Sequence, residues 1–263
     1  MKRVFTLMAA LCLSSASLYA QSDDAGRLGF SAGLQSNQLF RGLPASETPV
    51  VVGDVNIALD QAQHLKLGAV GAMAFTDDET GYQYREINYY LNYAVGGFSV
   101  GFWDVLTPDL FNGEGSIART WNYKQETTGH RLEIRASYVI SEQTPLKIFV
   151  SPAFYGNDRY VDGVKDNGEF KYKQRWSTYV ELSYPVISGK AINLGLFCGM
   201  GLGLAGESHM YGNGKNDFDF TNVGFTVSKG LRLSEAYTLP VSATLSWNPS
   251  LDGVRAQVAA TIF

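Results

Sequence analysis

The sequence predicts an all-β protein, an up-and-down antiparallel transmembrane β-barrel of about twelve strands. Apolar residues recur at every second position over runs of about ten residues, and the links between the runs alternate between short and long. The composition agrees, because 15 Tyr, 15 Phe and 28 Gly with a mean hydropathy of -0.07 suit strands better than membrane helices. A net charge of -4 argues against a general nucleic-acid-binding role.

The first twenty residues have the pattern of a secretory signal peptide. Lys2 and Arg3 give a positive start, a short apolar stretch follows, and small residues lead to Ala20. The apolar stretch is too short to cross a bilayer as a helix. We therefore expect cleavage after Ala20, with Ala16 as the alternative, and a single outer-membrane barrel domain over residues 21–263.

Twelve period-two runs follow along the mature chain. In the first, Leu28 and Phe30 point to one face while Gly29 and Ser31 point to the other, as successive residues of a strand must. The ninth is the clearest, with large apolar residues from Ile192 to Leu204 alternating mainly with glycines. The runs begin at Leu28, Val51, Leu65, Ile87, Phe98, Leu132, Leu146, Trp176, Ile192, Val223, Leu239 and Val254.

The links between the runs favour a membrane barrel over a secreted β-sandwich, which also alternates. Links after even-numbered runs are short, and links after odd-numbered runs are mostly long and polar. This rhythm, with an even strand count, is typical of bacterial outer-membrane barrels, whose long loops are extracellular. The short links are 60–64, 96–97, 141–145, 185–190 and 234–237; the long ones are 40–49, 76–83, 106–129, 156–171 and 205–217, with 249–253 a short exception.

The last residue, Phe263, is typical of the signal that barrel-assembly machinery recognises in such proteins. The same-face residues before it, Thr261, Ala259 and Gln257, depart from the usual apolar pattern. Tyr and Trp residues near the ends of the runs suit the aromatic girdles of such barrels. The expected surroundings are therefore the lipids of a Gram-negative cell outer membrane.

If the apolar faces meet lipid, the opposite faces line a lumen that carries more basic than acidic residues. The acidic set is Asp54, Glu86, Glu133 and Glu181; the basic set is Lys66, Arg131, Arg135, Lys147, Arg175, Arg232 and Arg255. One interpretation is a set of ion pairs that stabilises a narrow barrel, because charges in a low-dielectric interior need partners. The other is a pore lining with a weak preference for anions. Both stay open.

Motifs for catalysis, metals and cofactors are weak. Two G-x-S-x-G matches, at 29–33 and 97–101, lie inside strands, whereas a nucleophile elbow leads into a helix. The G-x-G-x-x-G match at 201–206 has no following helix to bind a phosphate. None of the three histidines precedes a serine as in the His-x-Ser pair of outer-membrane lipid-modifying enzymes. We expect no enzyme activity, no metal and no cofactor.

One loop has an acidic composition that raises the question of Ca²⁺. Five possible oxygen ligands lie close together in the sequence, but their spacing is not that of an EF-hand. They are Asp158, Asp162, Asp166, Asn167 and Glu169. A solvated acidic loop is the preferred interpretation.

The segment that leaves the first run resembles a known family. The segment reads Ser36-Asn37-Gln38-Leu39-Phe40-Arg41-Gly42-Leu43-Pro44-Ala45-Ser46. It is similar to the S-x-Y-x-F-R-G-x-x-x-S signature of TorF-type porins of Gram-negative outer membranes, with Gln38 in place of the tyrosine. The resemblance covers roughly the first third of the mature chain. It implies an outer-membrane barrel that passes solutes and supplies no catalytic residues. The residues alone permit a simpler interpretation, in which Gly42 frees the backbone and Arg41 pairs with a carboxylate.

The sequence therefore predicts a non-enzymatic porin or channel for passive diffusion of small polar solutes. Two alternatives remain. One is a closed structural or adhesive barrel acting through its extracellular loops, which a lumen filled by side chains would favour. The other is a lipid-modifying outer-membrane enzyme, which needs a serine and a histidine that meet on the outer wall.

Overall fold

The computed structural model describes residues 26–107, 120–206 and 208–263. The predicted signal peptide over residues 1–20 lies outside the described residues, and so does the middle of the predicted loop 106–129. No helix in these three ranges is long and apolar enough to cross a membrane.

The described residues form sixteen strands and one short 3-10 turn, Pro249–Leu251. The strands are β1 (Leu28–Gln35), β2 (Gln38–Phe40), β3 (Leu43–Ser46), β4 (Val50–Ala58), β5 (Leu65–Ala74), β6 (Arg85–Val95), β7 (Phe98–Leu106), β8 (His130–Val139), β9 (Lys147–Gly156), β10 (Arg159–Val164), β11 (Phe170–Gln174), β12 (Ser177–Ser188), β13 (Asn193–Gly203), β14 (Phe218–Arg232), β15 (Thr238–Asn248) and β16 (Gly253–Thr261).

Twelve of these strands make one closed antiparallel barrel in the order β1-β4-β5-β6-β7-β8-β9-β12-β13-β14-β15-β16. The barrel closes where Gly33 of β1 pairs with Thr261 of β16, so no strand of it is left with an unpaired edge. Each barrel strand pairs with the next barrel strand in the sequence. The predicted all-β, twelve-stranded, up-and-down barrel is therefore confirmed.

The two ends of the barrel differ in their connections. Short turns join β4 to β5, β6 to β7, β8 to β9, β12 to β13 and β14 to β15, and we call this the short-connection end. At the other, long-connection end, the predicted loops 40–49 and 156–171 overlap two hairpins, β2–β3 and β10–β11, which extend beyond the predicted bounds. Their strands of three to six residues are too short for a period-two pattern to stand out in the sequence.

The barrel has the polarity of a membrane barrel, with apolar side chains outside and polar ones inside. Phe30, Leu67 and Leu245 are exposed on the outer wall, whereas Asp54 and Glu181 are buried within. This distribution is the reverse of that in a water-soluble globule, where exposed contiguous apolar surface is limited. An outer wall of this kind is suited to lipid.

Glycines on the inner wall make room for large side chains of neighbouring strands. A Cβ atom built on Gly199 would lie 2.2 Å from the hydroxyl of Tyr179 on the paired strand β12. Because glycine has no side chain, large inward side chains can lie directly over the alternating glycines of β13. This packing lets large inward side chains of one strand lie over the neighbouring strand.

Candidate functional site: a hairpin held inside the lumen

The β2–β3 hairpin folds into the barrel interior, and its turn is the Phe40-Arg41-Gly42 motif. Arg41 and Gly42 both have positive φ, 54° and 87°, which tightens the turn. The guanidinium of Arg41 contacts β8 and β9, while the carbonyl of Gly42 accepts a hydrogen bond from Asn248 at the end of β15, at 3.2 Å. Arg41 and Gly42 are adjacent, yet one contacts β8 and β9 and the other contacts β15. The turn therefore lies across the lumen.

Arg41 forms a buried two-point ion pair with Glu133 of β8. Its Nη2 donates to Oε2 at 2.8 Å and its Nη1 to Oε1 at 3.3 Å, and Nη2 also donates to the Ser151 hydroxyl at 2.8 Å. Arg41 keeps 5% of its surface accessible and Glu133 none. A two-point contact of this kind fixes direction as well as distance, so it sets the position of the turn inside the barrel.

Two more arginines share the same carboxylate. Arg131 donates through Nε to Glu133 Oε1 at 2.6 Å, and Arg135 donates through Nε to Oε2 at 2.9 Å. The Ser151 hydroxyl also lies 3.1 Å from Oε2. We call Arg41, Arg131, Arg135 and Glu133 the arginine cluster. In it, one carboxylate faces three guanidinium groups.

Aromatic rings enclose the Arg41 guanidinium. Its central carbon lies 4.7 Å from the ring centre of Phe40, 5.1 Å from Tyr179 and 5.2 Å from Tyr211. Phe149 contributes a fourth ring at 5.8 Å. Ring faces attract cations, and they also exclude water, so each ionic contact here is stronger than at an exposed surface.

Gly42 presses against the backbone of β14. A Cβ atom at this position would lie 1.7 Å from the carbonyl oxygen of Thr221 and 3.3 Å from the Cα of Asn222. Backbone atoms cannot move aside as a flexible side chain can. The motif therefore needs glycine here both for its φ and for the close approach of two chains.

The base of the hairpin has an apolar contact with another part of the wall, formed by β4, β5 and the link to β6. Ala45 of β3 packs against a small buried cluster at the long-connection end that includes Val50, Ala74 and Tyr84. The hairpin is therefore anchored by apolar packing at its base and by polar and ionic contacts at its turn. The turn is the part whose position depends on charge.

A second inward segment, the link between β13 and β14, covers the turn of the hairpin. Tyr211 of this link is fully buried, and its hydroxyl accepts a hydrogen bond from Arg41 Nη1. Burial raises the pKa of Tyr211 to about 12, against the opposing effect of Arg41. The hydroxyl therefore stays protonated under ordinary conditions and contacts Arg41 as a neutral group.

His209 and Asp158 hold this second segment in place. His209 Nδ1 accepts from the Tyr211 N–H at 3.2 Å, and its Nε2 lies 3.3 Å from an Asp219 carboxylate oxygen. Burial lowers the pKa of His209, and the nearby carboxylates only partly oppose this. Asp158 accepts from the Ser177 N–H at 2.8 Å and hydroxyl at 2.6 Å, and that hydroxyl accepts from the Met210 N–H. Burial raises the pKa of Asp158.

The inner wall differs between its middle and the short-connection end. The residues around the arginine cluster are almost wholly buried, as are those on the facing strands; this central layer contains Ser31, Asp54, Tyr90, Glu133, Ser151, Tyr179, Asn222 and Ser246. Towards the short-connection end, the inward positions carry partly accessible hydroxyls, among them Ser99, Ser137, Thr226, Ser242 and Thr244. The lumen is therefore filled at the level of the hairpin and lined by small polar groups beyond it.

The structure places most of the charged residues predicted for the lumen on the inner wall. Buried or partly buried inward positions are those of Asp54, Lys66, Glu86, Arg131, Glu133, Arg135, Lys147, Glu181 and Arg255. Two lie elsewhere. Arg175 precedes β12 and donates to the Ser208 hydroxyl at 3.0 Å and the Arg159 carbonyl at 3.2 Å, at the long-connection end. Arg232 is exposed at the last position of β14.

Glu181 belongs to a separate polar group beside the arginine cluster. It accepts from the hydroxyl of Tyr179 and, at 3.2 Å, from Asn222 Nδ2, and it interacts electrostatically with Lys147. The Ser246 hydroxyl donates to Asn222 Oδ1 at 2.6 Å. This chain of contacts ties β9, β12, β14 and β15 together beneath the hairpin turn.

The histidines contact carboxylates and backbone rather than serine hydroxyls in the described ranges. His130 Nδ1 lies 2.7 Å from Asp104 Oδ1 and its Nε2 2.8 Å from the Thr120 carbonyl. Ser250 donates to Asp219, the carboxylate beside His209, so the carboxylate separates the serine from the histidine. In this order the histidine does not contact the serine hydroxyl as the base of a serine–histidine pair would. Absence of enzyme activity stays a prediction.

The acidic loop residues do not converge on one point. Asp162 lies 3.0 Å from Lys173, Glu169 lies 3.3 Å from Lys165, and Asp158 is turned inward to Ser177. Among the described residues, no group of three or more His, Cys, Asp or Glu is placed to hold a metal ion.

Comparison with known proteins gives a distant overall likeness. No protein-family model matches the chain, and no curated protein matches it. A crystal structure of an outer membrane channel from Pseudomonas putida F1 is 13% identical with a TM-score of 0.46, over 92% of this chain and 98% of that chain. Membership of the TorF-type porin family therefore stays a prediction.

Sequence reasoning singled out Gly42 and all four residues of the arginine cluster, but not the residues that contact them, Ser151, Tyr179, Tyr211 and Asn248. Tyr179 alternates with the outward apolar residues of the run that begins at Trp176, so it shares the inner face with Glu181, and an aromatic residue among charged ones was the available signal. Tyr211 and Asp158 lie in links, and nothing in their local sequence distinguishes them from solvated loop residues. Their roles depend on where each link folds.

Proposed function

We propose that this chain is an outer-membrane channel for small polar solutes, and that its β2–β3 hairpin is a gate. The observation that carries the proposal is the position of Arg41, which lies buried in the middle of a polar lumen although it belongs to a connecting hairpin rather than to the wall. A wall that is apolar outside and hydroxyl-lined inside supports passage of polar solutes once that hairpin withdraws.

The second candidate function is a closed structural barrel, and the burial of the central layer favours it. Small barrels are packed shut by their own side chains, whereas large ones are open. Twelve strands fall between these cases. The two candidates differ in what blocks the lumen: a movable hairpin in the first, the wall itself in the second.

The decisive experiment measures conductance of the refolded protein in planar bilayers, with and without the hairpin. We expect rare brief openings for the full chain and stable open steps when residues 38–46 are replaced by a short Gly-Ser link. The matched control replaces residues 159–174, the β10–β11 hairpin, in the same way, and should conduct like the full chain. A folded barrel that remains silent without residues 38–46 would reject the channel in favour of the closed structural barrel.

The same proposal includes three further points: export by the predicted signal peptide, residence in the cell outer membrane, and recognition of Phe263 by barrel-assembly machinery. The ring centre of Phe263 lies 6.2 Å from that of Phe30 on the outer wall, and the side chain stays largely exposed. An exposed terminal aromatic residue is available to a partner. Cell fractionation with and without Phe263 tests both location and assembly.

A further inference from the structure

The arginine cluster has a surplus of positive charge. Both oxygens of Glu133 are engaged by Arg41, Arg131 and Arg135, so one negative charge faces three positive ones. Three further carboxylates act on the cluster electrostatically, but they accept hydrogen bonds from other groups: Glu181 accepts from Tyr179 and Asn222, Glu86 from Asn88 at 2.7 Å, and Asp158 from Ser177. Buried charge without a counter-charge is costly, so this cluster favours an added anion.

The cluster also has hydrogen-bond donors to offer. A guanidinium has five N–H donors, and in the described part of the chain Arg131 and Arg135 each use only Nε on Glu133. Arg135 keeps 13% of its side-chain surface accessible. Its Nη groups are thus left for an acceptor that enters from the lumen.

Aromatic rings pack against these guanidinium groups. The Arg135 guanidinium carbon lies 4.1 Å from the ring centre of Trp103, which in turn stacks on Tyr90 at 4.6 Å. Arg131 lies 5.0 Å from the ring centre of Phe40, in the hairpin turn. A guanidinium presents paired donors that match the spacing of two oxygens of an oxyanion, and packing against a ring limits its freedom to turn away.

Another arginine of the lumen also has an N–H group that no acceptor engages among the described residues. Arg255 on β16 has a buried Nη1 without a hydrogen-bond partner among the described residues. It pairs across strands with Ser246 of the central layer. The inner wall together with the hairpin turn carries six basic residues, Arg41, Lys66, Arg131, Arg135, Lys147 and Arg255, against five acidic ones, Asp54, Glu86, Glu133, Glu181 and Asp219, although the chain as a whole is acidic.

We infer that the arginine cluster is a binding subsite for small oxyanions, with Arg135 and Arg131 as the main donors. The ligand class is a solute with a carboxylate, phosphate or sulfate group. This inference rests on the proposed function, since it names the solutes that the channel favours. It also predicts that such an anion competes with Glu133 for Arg41 and so loosens the hairpin turn.

The test combines direct binding with ion selectivity. Inorganic phosphate is titrated calorimetrically into the refolded full-length protein in detergent, and reversal potentials are measured in bilayers under a salt gradient. We expect saturable binding, a preference for anions, and roughly tenfold or more weaker binding in Arg135→Gln. Arg232→Gln is the matched control, because Arg232 is exposed at the strand end, and should bind like the unchanged protein.

The outcomes separate the inference from the proposed function. A barrel that conducts without anion preference and does not bind phosphate overturns the subsite and leaves the channel intact. A barrel that binds phosphate through Arg135 but never conducts supports the subsite and rejects the channel. Equal loss of binding in Arg135→Gln and Arg232→Gln also overturns the subsite. Because the unchanged protein is titrated first, a variant that fails to fold does not decide the result.

Discussion

Under the proposed function, replacing Gly42 by alanine should open the channel. The new Cβ atom would lie 1.7 Å from the Thr221 carbonyl oxygen, at a backbone φ of 87°. The left-handed conformation costs an alanine roughly 1–2 kcal/mol. The steric overlap with a backbone that cannot move aside adds about 1–3 kcal/mol. Together, about 2–5 kcal/mol would destabilise the position of the hairpin inside the lumen.

A matched variant separates these two costs. Gly168 has nearly the same φ, 85°, but a Cβ atom there would have nothing within 4 Å. Gly168→Ala therefore carries the conformational cost alone, and it lies in the β10–β11 hairpin. The steric part specific to Gly42, about 1–3 kcal/mol, corresponds to a shift of the closed–open equilibrium towards open by a factor of about 5 to 150.

Single-channel recording in planar bilayers measures this shift as open probability. Gly42→Ala should be open far more often than the unchanged protein, while Gly168→Ala should match it. The heat-dependent mobility of the folded barrel on gels confirms that both variants are assembled. A folded Gly42→Ala barrel with the closed behaviour of the unchanged protein, or an equal effect of Gly168→Ala, would refute the assignment of the hairpin as the gate.

The remaining predictions concern charge. Glu133→Gln leaves three guanidinium groups without their shared carboxylate, so it should lower the free energy of unfolding by about 3–5 kcal/mol in urea titrations, and an unchanged midpoint would contradict the burial of that pair. His209 has a pKa lowered by burial despite Asp219, Asp158 and Asp217 nearby. Its neutral form therefore stabilises the closed state above the unfolded pKa of about 6.5, and this contribution is lost as the pH falls below it. Open probability should rise on acidification in the unchanged protein and not in His209→Gln.

How much of this protein was predictable from the sequence depends on whether a feature is local. Strand alternation is local, since each residue's face is set by its neighbours along the chain. The runs beginning at Leu28 and Ile192 therefore mark β1 and β13, and the alternation of short and long links indicates the order of the barrel. The inward positions of Glu133 and Arg135 follow from the same alternation of residues between the two faces of a strand.

The candidate site depends on contacts that are distant in the sequence. Arg41 meets Glu133 across 92 positions and Tyr211 across 170, and the Gly42 carbonyl meets Asn248 across 206. The local sequence indicated only that Arg41 would need a carboxylate. Which one it meets depends on the path of a link, and links have no periodicity that fixes where they fold.

The sequence by itself determined a closed barrel with an apolar exterior and a charged interior, because period-two alternation specifies both faces of every strand. The tertiary structure alone decided that the Phe40-Arg41-Gly42 turn enters the lumen rather than extending outward, and that Arg175 stays at the long-connection end. The physical reason is that a buried guanidinium is stable only where the closed barrel brings carboxylate, hydroxyl and aromatic groups around it from several strands at once.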